Sequence, residues 1–193
     1  MSGLDLHLFQ VINGDLSNAV FDSLMPFITD PGPFVIPLTL IGVGLVVWGG
    51  WKGRLLVVMA LLLLVVSNAV SEQLKQLFQR PRPCLVLETV RLLVGCSEHN
   101  FSFPSSHASN ITAQALLFAY SYRPIAVPLF LVAAGVGYSR VYVGVHYPLD
   151  VVGGILVGLA CGAVFIFLTR EVERRLPKRQ PTSDNRQPLT DDR

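Results

Sequence analysis

The chain has 193 residues, a net charge of only +2, 51% hydrophobic residues and 15% charged ones, with a mean hydropathy of +0.52. That composition excludes an ordinary soluble domain and gives no sign of a nucleic-acid partner. It points to one compact membrane domain made of helices, because lipid leaves no hydrogen-bond partner for an open strand edge.

Residues 1–33 contain the apolar stretches LDLHLFQVI and AVFDSLMPFI, both short and interrupted by Asn13, Gly14, Asp15 and Asp22. They read as an interfacial or re-entrant helical segment rather than a full span. No basic stretch precedes an apolar core with a small-residue cleavage site, so a removable signal peptide is not expected. Five longer apolar runs follow, at 34–50, 54–74, 106–121, 124–142 and 148–169. Each approaches the roughly 20 residues that a membrane-spanning helix needs. The expected fold is therefore all-α, a polytopic membrane helical bundle of about five to six transmembrane helices, with the transmembrane domain at 34–169. Residues 170–193 read as a polar cytoplasmic tail.

Charge sets the expected topology. Lys52 and Arg54 lie between the first two runs, Arg123 between the third and fourth, and Arg170, Arg174, Arg175, Lys178, Arg179, Arg186 and Arg193 after the fifth. These residues share one face, which the positive-inside rule makes cytoplasmic. Residues 1–33 carry Asp5, Asp15, Asp22 and Asp30 but no Lys or Arg, and segments 75–105 and 139–147 open on the same, outer side. Cys84 and Cys96 lie in the first outer loop, where an oxidising compartment permits a disulfide, two free thiols being the alternative. Cys161, in the last run, reads as a packing residue.

Three polar clusters fall on that outer face. KQLFQRPRP (75–83) ends the second run and places Lys75, Arg80 and Arg82 together. Taken alone, basic residues at a helix C-terminus are better explained by the macrodipole and by snorkelling. FPSSHAS (103–109) begins the third run. Serines at a helix N-terminus can cap it, and its backbone amides can cradle an anion with His107 in the first turn. SRVYVGVHYPLD (139–150) carries Arg140, His146 and Asp150. The i, i+4 spacing lets Asp150 orient His146 as a nucleophile, and ionisable groups near membrane depth are costly enough to be functional by default. Cations, a helix N-terminus, two histidines and a carboxylate form an inventory for phosphoryl transfer without a metal.

The three motifs K-x6-RP (75–83), P-S-x-H (104–107) and SR-x5-H-x3-D (139–150), in that order, resemble the tripartite signature of the type 2 phosphatidic acid phosphatase (PAP2) superfamily. The resemblance implies that Lys75, Arg82, Ser105 and Arg140 bind phosphate, with Ser106 beside them. It also implies that His107 is the general acid, His146 the nucleophile that becomes phosphohistidine, and Asp150 its orienting partner. Where the family usually has glycine in its second motif, this chain has Ser106, whose Cβ would crowd a phosphate while its hydroxyl could bond to one.

His7 and His99 match no motif, no metal-ligand spacing is visible, and no cofactor is expected. Gly154, Gly158 and Gly162 make a small-residue stripe that reads as packing inside one subunit rather than a dimer interface. The sequence leaves the oligomeric state open. The expected activity is hydrolysis of a lipid phosphate or diphosphate in a bacterial inner (cytoplasmic) membrane, at a site facing the periplasm or exterior. Undecaprenyl diphosphate is the favoured substrate and would serve cell-wall synthesis. Phosphatidylglycerol phosphate, phosphatidic acid and lipid A 1-phosphate are the alternatives. The rivals are vanadate haloperoxidase chemistry and a non-catalytic lipid-binding or transport protein, which would need neither an acid histidine nor an aspartate-backed nucleophile.

Overall fold

The computed structural model describes residues 3–97 and 101–175, all of them helix or connecting loop. His99 and the greater part of the expected tail lie outside the described residues. The order is α1 (Gly3–Gln10), a π-helical turn (Val11–Asp15), α2 (Ala19–Thr29), α3 (Gly32–Trp48), α4 (Gly50–Phe78), the short α5 (Pro83–Val86), α6 (Ser106–Ser121), a 3-10 turn (Arg123–Ile125), α7 (Ala126–Tyr142) and α8 (Pro148–Arg175).

Local chemistry explains most of these boundaries. Asn18 caps α2, its side chain accepting from Phe21 N. Asp30 accepts from Gly32 N at 2.9 Å where α2 gives way to α3. Gly50, at φ +59°, turns α3 back into α4. Gln79, at φ +46°, ends α4 in a left-handed residue and directs Arg80 and Arg82 off the helix axis. Pro148 opens α8, where its missing N–H costs nothing.

α4, α8 and the continuous segment Arg123–Tyr142, which joins the 3-10 turn to α7, are long and apolar enough to cross a membrane, and α2 with α3, bent by 47° at their junction, forms either a broken fourth span or a re-entrant loop. α6, with 16 residues and a polar sequence, is shorter than the ~20 residues a span needs. It packs among α4, α7 and α8, and a helix enclosed by protein has no need of an apolar surface all round. Within residues 1–33, α2 leads into α3 through a break of two residues, whereas α1 and the π-helical turn belong to neither helix.

The core lies between α4, α6 and α8, where Leu56, Leu63, Ala113, Leu117 and Phe165 cluster. By contrast, α3 buries none of its residues and presents Ile36, Leu38, Leu40 and Ile41 outward, as a lipid-facing helix should. The glycine stripe of α8 lies against α6. A Cβ on Gly154 would meet Ser105 O at 2.4 Å, and one on Gly158 would meet Ser109 O at 2.4 Å. This close approach accounts for the stripe by packing within one chain. Gly158→Ala is therefore expected to destabilise the protein by about 1–3 kcal/mol through overpacking, read as a lowered melting temperature in detergent, whereas an unchanged melting temperature would mean that the two helices can part at little cost.

The N-terminal segment is tied down by long-range polar contacts. Asn13 Nδ2 donates to Tyr142 O at 2.7 Å and to Arg91 O at 2.8 Å, while Arg91 N donates back to Asn13 Oδ1 at 2.9 Å. Asp22 accepts from the Arg91 guanidinium and from the Tyr142 hydroxyl, both at 2.7 Å. The loop between α4 and α6 is closed by a disulfide between Cys84 and Cys96, whose Cα atoms are 6.5 Å apart.

Candidate active site

The end of α4, the start of α6 and the turn between α7 and α8 converge at one end of the bundle. Backbone hydrogen bonds join them: Ser102 N donates to Arg80 O at 2.7 Å, and Ser105 N donates to Asp150 O at 2.9 Å. These two bonds hold the three motifs in register although up to 70 residues separate Arg80 from Asp150.

Lys75, Arg82, Arg140, His146 and Asp150 are all buried, with Lys75 only 3% and Arg140 9% exposed. Lys75 feels the charges of Arg82 and Arg140, and His107 those of Arg140, His146, Lys75 and Arg82. His107 and Arg140 also line an open cleft of about 410 Å³ together with Pro26, Thr29, Asp30, Pro31, Val94 and Gly95. Every residue that the sequence nominated for phosphate binding or catalysis thus lies at this end of the bundle.

Ser105 sits at the N-cap of α6, but its side chain makes no capping bond. Its Oγ is buried without a hydrogen-bond partner, as are Arg140 Nε and His146 Nδ1. Buried unpaired groups of this kind cost about 1–3 kcal/mol each. A phosphate would satisfy the serine and arginine donors.

His146 occupies the turn between α7 and α8, its backbone N donating to Arg140 O at 3.2 Å. Its Nδ1 lies 3.6 Å from Asp150 Oδ2, which is ion-pair range and longer than a hydrogen bond. Burial pushes the His146 pKa down to about 4; Arg140 and Arg82 act the same way, while Asp150 opposes them. The imidazole is accordingly neutral near pH 7, the form that has a free lone pair on one nitrogen. Asp150 Oδ2 also accepts from Tyr147 N at 2.8 Å.

Four further residues shape the site without belonging to the three motif patterns. Glu72, one turn before Lys75, accepts from its ammonium at 2.7 Å and faces the Ser106 hydroxyl at 3.5 Å. Thr29, at the end of α2, accepts from Arg140 Nη1 at 2.8 Å. Arg80 donates to Asp150 Oδ1 at 2.6 Å and also pairs with Asp5 of α1. For Asp5 the sequence holds a faint signal, a carboxylate inside an apolar helical stretch; for Thr29 it holds none. His7 matched no motif and is exposed on α1. Among the described residues no group of three His, Cys, Asp or Glu side chains could hold a metal ion.

Fold and site together define a multi-pass helical membrane protein with a largely buried cluster of cations and histidines at one end of its bundle. The chain belongs to the PAP2 superfamily, whose family model matches residues 53–174. It is 37% identical to the putative undecaprenyl-diphosphatase YbjG of Escherichia coli (strain K12), over 82% of this chain and 79% of that protein. It is 30% identical to the undecaprenyl-diphosphatase BcrC of Bacillus subtilis (strain 168), over 84% of this chain and 82% of that one. The crystal structure of Aquifex aeolicus LpxE superimposes with a TM-score of 0.70 at 30% identity, covering 86% of this chain and 96% of that one.

Proposed function

We propose that this PAP2 membrane lipid phosphatase removes the terminal phosphate of undecaprenyl diphosphate through a phosphohistidine intermediate and without a metal ion. The observation that carries this reading is the set of buried, unpartnered donors, Ser105 Oγ and Arg140 Nε, beside Lys75, Arg82 and two histidines. The choice of lipid is supported by the two diphosphatase relatives that match most of the chain.

Lys75, Arg82, Arg140 and Ser105 hold the oxygens of the transferring phosphoryl group, with the backbone amides at the start of α6 completing the cradle. The neutral His146 attacks phosphorus through Nε2, so a P–N bond forms as the P–O bond to the lipid phosphate breaks. Burial and the cations around it hold His107 neutral before substrate binds, at a pKa of about 3; the negative charge of the bound diphosphate offsets them, and His107, protonated with the substrate in place, gives that proton to the leaving oxygen. It then takes a proton from the water that hydrolyses the phosphohistidine, which returns both histidines to their starting states. The lipid reaches the site through the cleft beside the α2–α3 break. Under the charge asymmetry of the loops, the site faces the periplasm or exterior of a bacterial inner membrane and the C-terminus is cytoplasmic.

The test is phosphate release by the purified protein in detergent with EDTA, offered undecaprenyl diphosphate, phosphatidylglycerol phosphate, phosphatidic acid or lipid A 1-phosphate. Release that persists in EDTA and is fastest with the diphosphate is expected. A preference for one of the other lipids would reassign the substrate, EDTA-sensitive release would remove the metal-free mechanism, and binding without any turnover would make the protein a lipid binder.

A further inference from the structure

Asp5 is 2% exposed and lies on α1, outside the region that the family model matches. One of its oxygens pairs with Arg80 Nη2, and the other accepts from Leu149 N, at the start of α8, at 2.9 Å. Arg80 uses its second nitrogen on Asp150 Oδ1 at 2.6 Å. Its guanidinium also lies over the Tyr147 ring, 4.2 Å from the centroid, and that ring packs against Phe9 of α1. The planar fork of the arginine is thus held on two sides and over one face. Asp150, fully buried, has one oxygen fixed by Arg80 and turns the other toward His146.

We infer that Asp5 and Arg80 are positioning residues for the nucleophile, the chain Asp5–Arg80–Asp150 setting the orientation and effective charge of the carboxylate that faces His146. This rests on the reading of His146 as nucleophile. An arginine shared between two buried carboxylates holds Asp150 in one rotamer. It also cancels part of the negative field that Asp150 exerts on the imidazole, which keeps His146 neutral and able to attack. The groups facing His146 are Asp150 from α8, Arg140 from α7, Arg82 from the segment before α5 and His107 from α6. Arg80 and Asp5 act on it through Asp150. Docking of α1 therefore completes a site whose other parts come from α2, α4, α6, α7, α8 and the segment after α4.

The deciding experiment is titration of His146 by NMR in full-length protein labelled at the histidine ring nitrogens, in detergent, with its signal assigned by its absence from His146→Ala. In Arg80→Gln the Asp150 charge is no longer shared, and the His146 midpoint is expected to move up by about one pH unit. Asp5→Asn leaves Arg80 wholly to Asp150, so the midpoint should stay or fall. The double variant should follow Arg80→Gln. Arg80→Lys, which keeps the charge but not the fork, should move the midpoint less than Arg80→Gln, and it serves in place of that variant if the latter does not fold. In parallel assays kcat should fall ~10²-fold in Arg80→Gln and ~10-fold in Asp5→Asn, with KM changed by less than about threefold. An unmoved His146 midpoint in the arginine variants, or equal upward moves in Arg80→Gln and Asp5→Asn, would overturn the inference. Absence of turnover in the unsubstituted protein would instead overturn the phosphatase reading, because the titration needs no substrate.

Discussion

His146→Ala should lower phosphate release by ~10³-fold or more if, as proposed, its Nε2 forms the covalent intermediate, while binding of inorganic phosphate or of the lipid remains within a fewfold of the original. The second half matters as much as the first. Lys75, Arg82, Arg140 and Ser105 make the proposed anion site, and none depends on the imidazole for its place. Parallel turnover and binding assays on the one variant check both halves, and equal loss of the two would show that His146 only shapes the pocket. The same residue governs the acid side of the pH profile. Its pKa is depressed from 6.5 to about 4, chiefly by burial, so the nucleophile stays neutral through the weakly acid range and is lost only as the pH falls through about 4. The acid limb of kcat/KM that belongs to His146 is expected there. A limb for this group near pH 6.5 would mean that the imidazole is far better hydrated in the working enzyme than its burial implies.

Arg140→Ala carries the second large effect. Arg140 is 9% exposed, and its guanidinium donates to Thr29 Oγ1 at 2.8 Å and leaves Nε buried without a partner. Removing one such preorganised donor is expected to cost ~10²–10³-fold in kcat. Arg140→Lys should recover only a small part of it, because an ammonium cannot span two phosphate oxygens while still reaching Thr29. Thr29→Val gives the control. It retains the arginine but frees one arm, so kcat should fall by less than in Arg140→Lys. Full activity in Arg140→Lys would reduce Arg140 to a diffuse positive charge and remove the argument from fork geometry.

Much of this protein was legible in its residues. Apolar runs and the absence of any viable open sheet edge in lipid determine an all-helical membrane bundle, and the helices at 106–121 and 148 onward begin where their Ser and Pro residues place them. His146 and Asp150 were readable as a pair, because four residues across one helical turn is a local distance. Ser105 and His107 were readable for the same reason, lying in the first turn of one helix. The glycine stripe of α8 was legible as a packing surface, although its partner, α6, was not.

What the tertiary structure alone decided are the contacts between groups far apart along the chain. Asp5 reaches Arg80 across 75 positions, and Thr29 reaches Arg140 across 111. No periodicity or spacing encodes such pairings. They depend on how α1 and α2 dock on the finished bundle, through Asn13, Asp22 and Arg91. Hydropathy therefore made residues 1–33 a peripheral segment, because their polar residues interrupt the apolar runs. The structure gives those interruptions a purpose: Asp5, Asn13 and Asp22 break the apolar pattern because each meets a buried or half-buried polar group elsewhere in the chain. The sequence by itself determined the class of chemistry and its local residue sets, since these rest on composition and short-range geometry. Only the fold could decide which distant carboxylate steadies Arg80 and which hydroxyl steadies Arg140, since those choices follow from packing.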